Sequence, residues 1–172
     1  ALVFAIAITF TFDYGASGLQ FQLNTSWIPA IDARYHVGID GISLFLVLLT
    51  TFLMPITLLA SWRDIDRSVK SYVFFMLFLE TGMLGAFVSL NLFLFYVFWE
   101  VMLVPMYFII GIWGGPRRVY AAVKFFLFTM VGSLLMLVAI LATAFAYQAA
   151  TGSWTGAFDY EMLRGFGFDG TL

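Results

Sequence analysis

Three charged side chains interrupt otherwise apolar runs: Glu80, Glu100 and Lys124. A charge inside a membrane-length segment costs about 2.5–3.5 kcal/mol on insertion scales, so it usually faces protein or water and handles ions or protons. Glu80 lies ten residues before Leu90, and Glu100 lies ten residues after it. In an antiparallel helix pair turning at Leu90 and Asn91, both carboxyls then sit about 15 Å from the turn, at similar depth. Two carboxyls at one depth can share a proton or be linked through water, which suits proton uptake and release. The alternative is two neutral side chains hydrogen-bonded between helices. The spacing leaves open whether they face the same side.

Lys124 follows Arg118 by six residues, about 9 Å into its helix. A direct salt bridge to Glu100 is not expected, because the two differ in depth by about 10 Å with parallel helix axes. Lys124 either snorkels to the interface or faces the bundle as a relay partner for a glutamate. Thr129 and Ser133 continue along its helix and could hold waters. Pro105 lacks an N–H and frees the carbonyl of Val101, next to Glu100; Pro55 does the same for Thr51. Freed carbonyls offer places for water, or the prolines only kink their helices. The one histidine, His36, falls outside the apolar runs and reads as a loop residue.

The elements that position these residues follow from composition. Of 172 residues, 63% are hydrophobic and 10% charged, with net charge −2 and a mean hydropathy of +0.99. A soluble domain of this size cannot bury so much apolar surface, so lipid faces part of it. Disorder, a nucleic-acid binder and a polar cytosolic enzyme are excluded. With no cysteine, this chain offers no disulfide, no thiolate zinc site and no cysteine-ligated iron–sulfur cluster.

Apolar runs at 42–62, 72–90, 92–113 and 119–147 are long enough to cross a bilayer, while 1–12 reads as a partial span. Without a closed barrel, spanning segments are helices. The expected fold is an all-α polytopic transmembrane bundle, a single membrane domain over 1–172. Because the chain starts inside an apolar run, we expect it to be a piece of a larger protein. The basic loops, 63–71 with Arg63, Arg67 and Lys70 and 114–118 with Arg117 and Arg118, belong on the cytoplasmic side or its equivalent. The segment 13–41 and the tail 148–172 lie on the opposite face. The former is long for a loop and expected to hold some order; the latter looks like an unfinished connection. Asp40 and Asn91 stand where they could cap outgoing helices. Gly111 and Gly115 form a weak small-residue packing signal.

Several stretches carry a resemblance: HVGIDGISL at 36–44, LETGMLGA at 79–86, LFYVFWEVMLVPMYFIIGIW at 94–113 followed by GG and a basic pair, and KFFLFTMVGSLLML at 124–137. Together, over about 36–146, they resemble the antiporter-like, proton-pumping membrane subunits of respiratory complex I, the NADH-quinone oxidoreductase, chain M (chain 4 in mitochondria) above all. The resemblance implies a proton-translocating subunit of that enzyme with no redox site of its own. NADH, FMN, iron–sulfur clusters and quinone are then expected in other subunits, and the partners are neighbouring complex I membrane subunits, lipid, protons and water. It also implies a multi-pass protein of the bacterial or mitochondrial inner membrane. The key glutamate of the FWE stretch maps to Glu100, the glutamate of ETGMLG to Glu80 and, less firmly, the lysine of KFF to Lys124. The family continues into a broken helix with a partner lysine and a second inverted repeat, both beyond this sequence. The same family includes large subunits of multi-subunit cation/proton antiporters, the alternative reading. A third is a scaffold whose glutamates only pin helices.

Overall fold

Asp40 starts the first of four long helices. Its carboxylate accepts hydrogen bonds from the backbone N–H groups of Ile42 (3.1 Å) and Ser43 (2.7 Å), and its own N–H donates to Ser43 Oγ at 2.8 Å, a reciprocal capping box. The bond from the Ser43 N–H is the main force holding the Asp40 carboxyl below its ordinary value, against partial burial. A carboxylate with a depressed value contributes stability above its unfolded-state value and loses it as pH falls through the folded one. Asp40→Ala is expected to destabilise the helix start by about 1 kcal/mol. Thermal unfolding of the assembled protein reads this loss, which shrinks in acid as the wild-type cap is protonated; an unchanged midpoint at neutral pH would contradict it.

The structure, a computed structural model, describes residues 1–16 and 18–167. Element order is α1 (Leu2–Thr11), β1 (Gln20–Ile28), a 3-10 turn (Pro29–Ile31), β2 (Ala33–Ile39), α2 (Gly41–Ala60), α3 (Val69–Val88), α4 (Leu92–Trp113), α5 (Arg118–Thr151) and α6 (Tyr160–Gly165). Helices α2 to α5 are each long and apolar enough to cross a membrane. Large apolar side chains such as Phe45, Phe74, Phe128 and Leu135 stand exposed along them. Such faces are stable against lipid or neighbouring helices, not against water.

Two helix ends extend past the apolar runs. α3 begins at Val69, three residues before the expected 72, so that Lys70 and Ser71 sit in its solvated first turn. α5 continues to Thr151 rather than 147, because Gln148–Thr151 read as ordinary helix formers and the first stop is Gly152, left-handed at φ 74°. At 34 residues α5 is about 50 Å long, well beyond the bilayer core.

The segment 13–41 holds order of an unexpected kind. β1 and β2 pair antiparallel, with Leu23 opposite Val37 and Asn24 opposite His36. The pattern QFQLNTSWI is an alternating, β-branched and aromatic run that favours a half-exposed strand. The helical bundle therefore carries one β-hairpin on the face opposite the basic loops. On the basic side, Trp113 Nε1 donates to the carbonyl of Arg67 at 2.7 Å, tying the end of α4 to the α2–α3 loop.

The first part of the tail packs onto the bundle. Ala157 and Phe158 are fully buried against Ile140 and Ala144 of α5, and Asp159 caps α6. The residues 168–172 of the expected tail lie outside the described residues.

Candidate functional site

The two glutamates sit on one antiparallel helix pair. α3 ends at Val88 and α4 begins at Leu92, so the turn is short, as the sequence spacing requires. Asn91 Oδ1 accepts from the N–H groups of Phe93 (3.1 Å) and Leu94 (3.2 Å), capping α4. Close approach of the pair depends on two glycines. A Cβ at Gly82 would come within 2.6 Å of Met102 Cγ, and one at Gly85 within 2.3 Å of the Phe98 ring. Only a residue without a side chain lets α4 lie this near.

Glu80 is buried, 6% exposed, on the stripe of α3 that also carries Tyr72 and Met76, which pack against Met54 of α2. Glu100 is half-buried, and its Oε1 is enclosed with no hydrogen-bond partner among the described residues. The Tyr96 phenol, one turn earlier on α4, lies against the Glu100 carboxyl. A buried carboxyl oxygen without a donor is costly as an anion. It is comfortable when it carries a proton or meets a water or a cationic partner. Pro105 is buried inside α4 and Pro55 is exposed inside α2, and both helices run on through them. The carbonyl left without its helical N–H partner by Pro105 is that of Val101, the neighbour of Glu100.

Lys124 is not brought to either glutamate. It is exposed on α5, with Nζ 5.9 Å from the centroid of the Tyr120 ring one turn earlier. It lines an open cleft of about 670 Å³ together with Arg117 and Arg118, and a second of about 720 Å³ running along α5 with Leu127, Phe128 and Leu135. No ion pair joins it to Glu80 or Glu100 among the described residues. Ser133, one of the hydroxyls following it, is buried at 3% exposure and donates to the carbonyl of Met130. Gly111 faces Ala122 across the α4–α5 contact at ordinary packing distance, a Cβ there standing 3.5 Å from the alanine methyl, whereas Gly115 lies beyond the end of α4 in open space, so the pair does not form a close-packing motif.

His36 corrects the loop reading. It lies in β2, is 3% exposed, and its Nδ1 is 2.7 Å from Asp159 Oδ2. The partner is 123 residues away in the chain. No local pattern could link the two, although the GID after His36-Val37 marks the end of a strand feeding a capped helix.

Comparison with known proteins bears on these residues. A family model described as NADH-ubiquinone oxidoreductase chain 4, amino terminus, matches residues 2–95. A second, described as NADH:quinone oxidoreductase/Mrp antiporter, TM, matches residues 89–160. The chain is 51% identical over 157 residues to NADH-quinone oxidoreductase subunit M of Rhodobacter capsulatus, covering 91% of this chain and 28% of that protein. It is 42% identical over 149 residues to subunit M of Escherichia coli K12, covering 84% of this chain and 29% of that one. The chain thus spans well under a third of the length of these relatives. Among solved structures, respiratory complex I from Thermus thermophilus with bound NADH holds a similar chain, with TM-score 0.75, 28% identity, and 97% of this chain and 33% of that chain covered. The Mrp complex from Dietzia sp. DQ12-45-1b shares the fold, with TM-score 0.68 at 20% identity over 87% of this chain and 16% of that chain. With the chain 4 model matching 94 of the 172 residues, the mostly helical, multi-spanning chain belongs to the NADH-ubiquinone oxidoreductase chain 4 family.

Proposed function

We propose that this chain is the amino-terminal part of a proton-translocating membrane subunit of NADH:quinone oxidoreductase, working in an energy-transducing membrane. The observation that carries the reading is Glu100: a half-buried carboxyl with one enclosed oxygen that has no hydrogen-bond partner among the described residues, in the middle of α4, in a member of the chain 4 family. Nearby opposite charge favours a carboxylate ionised and desolvation favours it neutral, so the gain or loss of a cationic partner loads and unloads a proton. Glu80 on the facing helix extends the path laterally. Lys124, exposed on α5, extends the path laterally as a relay residue. The chain performs no redox chemistry; NADH, FMN, iron–sulfur clusters and quinone belong to other subunits, and neighbouring membrane subunits supply the coupling.

A second reading has a specific basis, because one matching family model is described by both the oxidoreductase and the Mrp antiporter. Ion dependence separates them. In sealed vesicles containing the native complex with the full-length subunit, NADH-driven proton translocation is expected to proceed at the same rate when sodium and potassium are replaced by an impermeant cation. A requirement for sodium or potassium would favour the antiporter.

A further inference from the structure

The basic end of α5 gathers positive charge that no carboxylate of the described residues offsets. Arg117 stands at the N-cap position of α5 and Arg118 is its first residue. The helix starts with no side-chain cap and no acidic residue in its first turn. The amino end of a helix carries the positive pole of its dipole, so cations are unfavourable there and anions favourable. Both arginines are exposed, and neither is in an ion pair among the described residues, where the pairs formed are those of Arg34 and His36. Asp64 and Asp66, the acids of the other basic-side loop, do not reach this end of the helix to line its cleft.

The charge lies at the mouth of a cleft with an apolar continuation. The cleft of about 670 Å³ lies between Ile110 of α4 and the first turns of α5, with Arg117, Arg118, Tyr120 and Phe128 in its wall. The second cleft, of about 720 Å³, shares Tyr120 and Phe128 with the first and continues down α5 past Leu127, Val131 and Leu135. No acidic residue lines either one. Gly132 lies in this furrow, and a Cβ there would meet nothing within 4 Å, so the helix surface is notched at that level. From Tyr120 to Leu135 is fifteen residues, about 22 Å at helical rise. One hydrocarbon leaflet is about 15 Å deep, half of the core. The furrow therefore runs from the basic interface through the depth of a leaflet.

We propose that the two clefts form one binding site for an anionic phospholipid of the basic-side leaflet, its phosphate held by Arg117 and Arg118 and an acyl chain lying along the furrow of α5. The inference is independent of the reading of Glu100. Guanidinium groups present paired N–H donors that match phosphate oxygens, and an anion at the amino end of α5 also meets the favourable pole of the helix. Tyr120, 64% exposed, sets an amphipathic ring at the level of the headgroups. The continuity of a basic head with an apolar furrow selects a lipid over free phosphate, because Phe128 and Leu135, 82% and 68% exposed, are covered by an acyl chain and not by a small anion. A zwitterionic lipid brings its own cation to the arginines and gains less there. Lys124 also lines both clefts, and its charge adds to the field without being needed to hold the phosphate.

The test uses the native complex with the full-length subunit, in vesicles of equal parts phosphatidylcholine and phosphatidylglycerol. A photoreactive p-benzoylphenylalanine in place of Phe128, which borders both clefts, captures what lies there. Mass spectrometry of the adducts is expected to show phosphatidylglycerol over phosphatidylcholine by about fivefold or more. Arg117→Gln combined with Arg118→Gln is expected to return the ratio to that of the bilayer. An unbiased ratio with both arginines in place overturns the proposal. A cross-link to protein, whether to another part of the subunit or to a neighbour, overturns it too, because the furrow is then a protein interface. A second measurement keeps the arginines and holds even where the double variant fails to assemble. The enrichment is expected to shrink several-fold as salt rises from about 0.1 M to about 1 M, since screening weakens an exposed charge contact; a ratio indifferent to salt overturns the site. Inorganic phosphate is expected to have no effect beyond that of chloride at equal ionic strength. Displacement of the phosphatidylglycerol adduct by phosphate alone would assign the arginines to a free anion and overturn the lipid.

Discussion

Glu100→Gln in the full-length subunit of the native complex is expected to leave assembly intact and to lower proton translocation by on the order of tenfold or more. The amide matches the carboxyl in shape and can still meet Tyr96, so the packing of α4 survives. What it lacks is a proton that can leave and return. A large effect is expected because the enclosed Glu100 oxygen has no hydrogen-bond partner among the described residues, which makes the ionised form costly there. Electron transfer coupled to pumping is expected to slow with it, whereas NADH oxidation with an artificial acceptor, which bypasses the membrane arm, is expected to continue. Glu80→Gln is expected to give a smaller loss, since in the proposed reading Glu80 extends the path laterally while Glu100 exchanges the proton. Equal and severe losses in both variants would mean that the two carboxyls act as one unit.

The second large effect comes from a residue with no side chain. Gly85→Ala places a methyl 2.3 to 2.5 Å from three carbons of the Phe98 ring, including its attachment carbon. The ring cannot simply swing its far edge away, so α3 and α4 must separate or Phe98 must leave its rotamer. Overpacking of this kind costs about 1–3 kcal/mol. The thermal midpoint of the purified complex is expected to fall, and translocation with it, because the same contact sets the spacing of Glu80 and Glu100. Phe98→Leu added to Gly85→Ala is expected to restore much of both. A single variant with unchanged stability, or a double variant no better than the single, would contradict this account of the helix contact.

How far the sequence reaches differs from element to element. Four long helices could be read from run length and hydropathy, since in lipid a spanning run has only one backbone solution. The caps at Asp40 and Asn91 were legible because a cap is a local bond, made within three residues. The equal spacing of Glu80 and Glu100 about Leu90 was legible for the same reason: one tight turn converts sequence distance into depth. The FWE stretch carried the family resemblance, because a run of specific residue types marks a family more sharply than hydropathy does. The β-hairpin was not read, although QFQLNTSWI alternates, because it sits between apolar runs that dominate the composition. The burial of His36 could not be read at all. It depends on chain segments 123 residues apart meeting at a turn between two other helices, and no local pattern encodes that meeting. Helical spacing does not choose between interface and bundle for Lys124, and the structure adds only that it is exposed on α5 beside Tyr120.

The claim that Glu100 takes up and releases a proton during turnover is tested most directly by infrared difference spectroscopy of the native complex with the full-length subunit, recorded before and after NADH addition. The account predicts a carboxylic-acid carbonyl band that changes on turnover in wild type and is missing from the difference spectrum of Glu100→Gln. Identical difference spectra for the two proteins would contradict it, and Glu100 would then be a packing residue of α4.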